Sequence, residues 1–180
     1  MIEPGENRVI PDPGYAGDDG SAPAALADGL AAWAAGRASY AEALAVLAQS
    51  RLLVPVVAVL GEVEYDERGL AHDKTSDMAT VLLQGADGRL ALLAFTSTAS
   101  LVAWNPEGRP VPAATPLAAR SALQDGAAAL VVDVAGPVRF VVEGEDLERL
   151  AGGWTLVRVG DQVAWVRPDD SADGESSASL

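Results

Sequence analysis

Apolar residues along this chain follow two rhythms, and each change of rhythm marks an element. In "PAALADGLAAWAAGR", Leu26, Leu30 and Trp33 recur at helical spacing, which predicts a helix with one apolar face. Ser21 is its candidate cap and Gly36 its stop. In "SYAEALAVLAQS", Ser39 and Glu42 stand at the spacing of a capping box, where hydroxyl and carboxylate each take a backbone N–H. Tyr40, Leu44 and Leu47 then share a face. The two segments predict a helical hairpin.

From Arg51 to Leu60, "RLLVPVVAVL" is β-branched and almost uniformly apolar. The missing alternation predicts a strand covered on both faces. Pro55 cannot donate to a ladder, so an edge, a bulge or a bend is expected there. The polar stretch Gly61 to Asp77 reads as a loop. "MATVLLQ" and "RLALLAF", joined by Gly85-Ala86-Asp87-Gly88, read as a β-hairpin. "SLVAW" reads as a short helix ended by Asn105-Pro106. "TPLAARSALQDG" reads as another, with Thr115 as cap, Pro116 opening it and Gly126 past its end. "AALVVDVAG" and "PVRFVVE" are strands, the second with Arg139 on its wet side; "EDLERLAGG" is a helix. "WTLVRVGDQVAWVR" closes as a hairpin over Gly160-Asp161. The order defines an α/β (α+β) domain, a mixed β-sheet with an N-terminal helical hairpin and short helices packed on it and a C-terminal β-hairpin.

Composition narrows the functions. The chain has 180 residues, 49% of them hydrophobic, enough for one domain with a sizeable core. It has no cysteine, which excludes disulfides, Cys-ligated zinc, iron–sulfur clusters and a thiol nucleophile. Net charge is −14; residues 1–21 hold five acids and one Arg, residues 168–180 four acids and no base, which leaves −6 for residues 22–167. Both ends are rich in Asp, Gly, Ser or Pro, so disordered acidic tails are expected at 1–21 and 168–180, flanking a single domain at 22–167. Without clustered Lys and Arg, neither nucleic acid nor anionic membrane is an expected partner. The start lacks a basic segment followed by an apolar one, and no apolar run approaches the roughly 20 residues of a membrane span. A cytoplasmic protein is expected.

Candidate chemistry centres on "AFTSTASLVAW". A strand that leads into a helix presents helix N–H groups where α/β folds place ligands, and Thr96, Ser97 and Thr98 stand there. No glycine lies among them, so no phosphate loop is formed, and the G-x-S-x-G elbow is missing. Ser or Thr at such a position caps a helix for structural reasons alone. A serine nucleophile needs a base; the only histidine, His72, lies in the polar loop beside Asp73 and reads as an exposed loop residue. Glu62, Glu64, Asp66, Glu67, Asp73 and Asp77 make that loop acidic. Hard cations take oxygen ligands, so a metal-assisted hydrolase built on residues 62–77 is one alternative, although the D-x-D-x-D-G pattern is absent. The plainer reading is a solvated loop. Trp33 and Trp104 are expected to face the sheet, while Trp154 and Trp165 lie in the last hairpin and would mark a partner surface if exposed together.

Pro55, Lys74-Thr75-Ser76-Asp77, Gly88-Arg89, Phe95-Thr96-Ser97, Trp104 and Val132-Asp133 together resemble the N-terminal domain of SseB-family proteins, actinobacterial members in particular. The resemblance covers Leu26 to Leu150. It implies a compact α/β domain and carries no reaction, cofactor or catalytic residue set. The 30 residues after Leu150 are too few for the separate second domain of larger members. The matching positions suggest a small polar pocket formed by Lys74, Ser76, Asp77, Phe95, Thr96, Ser97 and Trp104. The expectation is a non-catalytic binding or regulatory module for an unknown protein or small molecule, without a cofactor. The metal-assisted hydrolase and a protein-interaction adaptor are its alternatives.

Overall fold

A computed structural model describes residues 15–59, 64–65, 71–72, 77–160 and 162–167. The elements run α1 (Ala24–Ala34), α2 (Tyr40–Ala48), β1 (Arg51–Val59), β2 (Glu64–Tyr65), β3 (Ala71–His72), β4 (Asp77–Thr80), β5 (Leu82–Gln84) and β6 (Leu90–Ala94). Then come α3 (Thr98–Trp104), β7 (Arg109–Ala114), α4 (Thr115–Gln124), β8 (Ala129–Val132), β9 (Phe140–Glu143), α5 (Gly144–Ala151), β10 (Thr155–Val159) and β11 (Gln162–Val166). The fold is α+β, with a four-stranded sheet ordered β5-β6-β8-β9 and a three-stranded sheet ordered β4-β1-β7. Only β6 and β8 pair in parallel among the described strands. Among the described residues, no helix is long and apolar enough to cross a membrane.

The helical hairpin forms as its spacing predicts. Leu26, Leu30, Leu44 and Leu47 are buried in one cluster with the inner faces of both sheets. The Ser39–Glu42 capping box is present in full, and Gly36 ends α1 at φ 69°. Two expected caps are not used. Pro23, not Ser21, stands at the cap of α1; the Ser21 hydroxyl instead donates to Asp19 at 2.6 Å. Ala114 stands at the cap position of α4 without a side-chain cap bond, and Thr115 is already the first helical residue; its hydroxyl and N–H both donate to the Ser50 carbonyl, at 2.9 and 3.1 Å. That hydroxyl pins α4 to the start of β1.

Strand β1 is covered on both faces. Leu52 and Val54 enter the large core, and Leu53 enters a second cluster with Leu93, Phe95 and Leu101. Leu53 exchanges both backbone bonds with Phe95, each 2.8 Å. Successive residues of a strand turn their backbone groups to opposite edges, so Pro55 turns the same way as Leu53. Its edge position falls between the Phe95 bridge and the β4 pairing that starts at Val56. The missing N–H therefore leaves no ladder bond unmade, which resolves how a proline sits in a central strand.

Strand β7 was not legible in the sequence. Two prolines in "RPVPAA" argue against a strand, yet Pro112 lies opposite Leu53 and Pro110 opposite Pro55. By the same alternation their ring nitrogens face away from β1, on the sheet's outer edge. Inside the stretch expected to be a loop, β2 and β3 form a short antiparallel ladder, Glu64 opposite His72. The turn at Asp161, both acidic tail regions beyond residues 15 and 167, and the rest of the Gly61–Asp77 stretch lie outside the described residues. The segment Asp18 to Ser21, assigned to the tail by composition, makes contacts with the domain through Arg51 and the Thr98 N–H.

Candidate functional site

Sequence placed the chemistry where β6 runs out, and the hydroxyls of Thr96, Ser97 and Ser100 there each have a partner. Strands β6 and β8 end side by side, Ala94 opposite Val132. The next residue of β8 is Asp133, 1% exposed and held at φ 51°. Its carboxylate accepts the Thr96 N–H at 2.9 Å and the Thr96 hydroxyl at 2.7 Å. Its own N–H donates to the Ala94 carbonyl at 3.0 Å. A buried carboxylate requires such donors, and asparagine and aspartate tolerate the left-handed conformation better than other non-glycine residues.

One residue on, Ser97 caps α3. Its hydroxyl accepts from the Ser100 N–H at 3.1 Å, and the Ser97 N–H donates back to the Ser100 hydroxyl at 3.3 Å. The first N–H of that helix is taken as well: Thr98 donates to the Gly20 carbonyl at 2.7 Å. The segment carrying Gly20 is fastened by Arg51, whose guanidinium pairs with the Asp18 carboxylate and donates to the carbonyls of Ser21 at 2.9 Å and Thr96 at 2.7 Å. The guanidinium holds the Asp18 carboxyl below its ordinary value. Thr96, Ser97, Ser100 and Arg51 thus join three parts of the chain, and each polar group answers another.

Of the residues expected to form a pocket, Phe95, Thr96, Ser97 and Trp104 meet at this strand end; the rings of Phe95 and Trp104 stack with centroids 5.4 Å apart. Lys74 and Ser76 lie outside the described residues. Asp77 is placed by its backbone, opposite Val59 in the β1–β4 ladder; its side chain, and that of His72, are also outside them. Sequence reasoning missed Asp133 as the partner of Thr96, because the pair is 37 residues apart and only the parallel β6–β8 pairing brings them together. Among the described residues, no group of three or more His, Asp or Glu is arranged to hold a metal ion.

The second site is a trough on the sheet. One face of the four-stranded sheet turns Leu92, Leu130, Val132, Phe140 and Val142 into the large core. The opposite face has two rows, set by the register. Val81, Leu93, Val131 and Val141 form the upper row, partly roofed by α3 through Leu101 and Trp104. Leu83, Ala91, Ala129 and Glu143 form the lower row, and no described helix packs over it. Two alanines side by side on the central strands make a low floor between larger residues on the outer strands. The result is a groove of about 470 Å³. Leu83 is 43% and Val141 36% exposed there. The rim carries Arg89, which donates to Asp87 at 2.6 Å and Glu143 at 3.0 Å. Two carboxylates share one guanidinium, so the rim is net negative.

Trp154 and Trp165 are half-buried. The Trp165 ring N–H donates to Asp146 at 2.9 Å. Trp154 lies under the guanidinium groups of Arg149 and Arg167, at 6.0 and 4.9 Å, a cation–π arrangement.

With the α+β fold and this strand-end clamp in view, comparison with known families gives one match. The family model of the SseB protein N-terminal domain matches residues 26–149. The chain belongs to that family. No curated protein and no solved structure matches it.

Proposed function

We propose that this is a cytoplasmic, non-catalytic binding module that takes a protein partner on the open face of its four-stranded sheet. The observation that carries the reading is the alanine-floored groove. Apolar side chains at Leu83 and Val141 stay in water, on a face that α3 roofs only in part. Exposed apolar surface rimmed by charged residues is characteristic of interaction sites. The hydroxyl cluster supports the same reading, because Thr96 and Ser97 are engaged by Asp133 and Ser100.

A photo-crosslinker placed at Val141 in cells that make the protein should form discrete protein adducts, and the same group at exposed Leu117 on α4 should not. Identical or absent adducts at both positions would remove the reading. Ester, phosphoester and peptide substrate panels test the rival class: turnover abolished by Ser97→Ala would make the protein an enzyme.

A further inference from the structure

We infer that the occupant of the trough is an amphipathic helix from a partner protein, with bulky apolar side chains on one face and Lys or Arg along its flank. The inference rests on the binding-module reading and deepens it by naming the partner's chemistry.

Shape comes first. The lower row crosses four strands, Leu83, Ala91, Ala129 and Glu143. At about 4.8 Å per strand, it is roughly 14 Å wide, and a helix with its side chains is about 10 Å thick. A ridge of Leu or Phe side chains would drop onto Ala91 and Ala129, where the sheet itself offers only methyl groups. An unoccupied place in the layer comes second. Helix α3 lies over the upper row, and Val131 both packs against that cluster and lines the groove. A partner helix set beside α3 would complete a layer that the described residues leave half built.

Charge selects the helix. Asp87 and Glu143 hold Arg89 between them, and the second carboxylate oxygen of Glu143 has no partner among the described residues. A Lys or Arg at the partner's flank would complete the cluster, as charge-assisted bonds favour. A second copy of this chain is a poor occupant, since residues 22–167 carry −6 and the negative rims of two copies, each with Asp87 and Glu143 around one Arg89, would face each other.

The test uses the full chain and two fluorescein-labelled peptides. One carries Leu at helical spacing with Lys on both flanks; the other has Glu in place of every Lys. The Lys peptide should bind at least tenfold more tightly by anisotropy, and the gap should close as salt rises from about 0.05 to 0.5 M. Amide shifts should centre on Ala91, Ala129 and Val141. Ala129→Trp fills the floor and should weaken binding at least tenfold. Because that variant adds bulk at a buried position, Leu83→Glu, on an exposed side chain, is the second probe and should do the same. Glu143→Lys should narrow the preference for the Lys peptide.

Equal affinity for both peptides, binding indifferent to Leu83→Glu, or shifts centred elsewhere would overturn the inference. So would a dimer seen by light scattering and abolished by Leu83→Glu, which would put a second copy in the trough. Crosslinking at Val141 without binding of either peptide would reject the basic helix and leave the binding module standing. Loss of the crosslinks would reject the module itself.

Discussion

Replacing Asp133 by alanine takes away the acceptor for two donors of Thr96, itself 4% exposed. Each buried donor left without a partner costs about 1–3 kcal/mol. Alanine must also adopt the φ of 51° that aspartate holds, at about 1 kcal/mol. Together these predict a loss of about 4 kcal/mol, a large share of the 5–15 kcal/mol typical of a domain. Asparagine keeps one carbonyl oxygen for the Thr96 N–H, its amide can donate to the Thr96 hydroxyl, and it tolerates the same φ. Only charge assistance is lost, so Asp133→Asn should cost about 1–2 kcal/mol. Thr96→Val removes the hydroxyl bond alone and should cost about 2 kcal/mol. Urea unfolding followed by tryptophan fluorescence reads all three. With a slope of about 2 kcal/mol per molar, the midpoint should fall by about 2 M for Ala and by 1 M or less for Asn. An alanine variant within 0.5 M of the parent would refute the clamp. So would an asparagine variant as unstable as the alanine one.

Other outcomes follow from the same contacts. Ser97→Ala should cost about 1 kcal/mol, the worth of one cap, again read by urea midpoint. Arg51→Met should cost about 2 kcal/mol, since its partners at Asp18, Ser21 and Thr96 lose charge-assisted bonds; limited proteolysis should then cut between residues 15 and 22 at least tenfold faster. The Glu42 carboxyl is held at about 2, below its ordinary 4.5, first by the Ser39 N–H, then by the Arg158 guanidinium. Its ionised form is the one folding favours. That contribution is complete above pH 4.5 and is lost as pH falls toward 2, so Glu42→Gln should flatten the acid side of the stability curve there. Burial, with Asp146 and Glu143 nearby, pushes the Tyr40 phenol up to about 12. Ultraviolet titration should find a tyrosine ionising there, absent in Tyr40→Phe.

Local chemistry was legible in the sequence. Ser39 and Glu42 announce the start of α2 because the capping box is complete within four residues. The β5–β6 and β10–β11 hairpins show because turn residues with glycine sit between apolar runs, although Met78 to Thr80, read as part of the first hairpin's leading arm, pair instead with β1 in the other sheet. The hidden parts depend on partners far along the chain. Thr115 looks like a cap, but the helix already includes it, and its hydroxyl bonds Ser50, 65 residues away. "RPVPAA" looks like a loop until Leu53 shows which edge its prolines face. The hydroxyl cluster was correctly located at the end of β6, but its main partner, Asp133, needed the β6–β8 pairing. The trough was hidden for the same reason: Ala91 and Ala129 are unremarkable until the register puts them side by side.

Both sites come from one topological step. A parallel pair cannot close through a short turn, so the chain leaves β6 through α3, β7 and α4 before returning as β8. Helix α3, the first element after β6, folds back over the outer face and roofs its upper row. β7 passes on to pair with β1 and α4 adds its alanines to the large core on the opposite face, so neither roofs the lower row. Asp133 then ties the far end of β8 to Thr96, which fixes the shift of β8 against β6. That shift sets Ala129 beside Ala91. Loosening the clamp should therefore disturb the trough as well as stability. Asp133→Asn should move the amide resonances of Ala91 and Ala129, about four residues away along each strand, while those of the β10–β11 hairpin stay in place. Unmoved trough resonances would separate the two sites and confine Asp133 to holding the strand end.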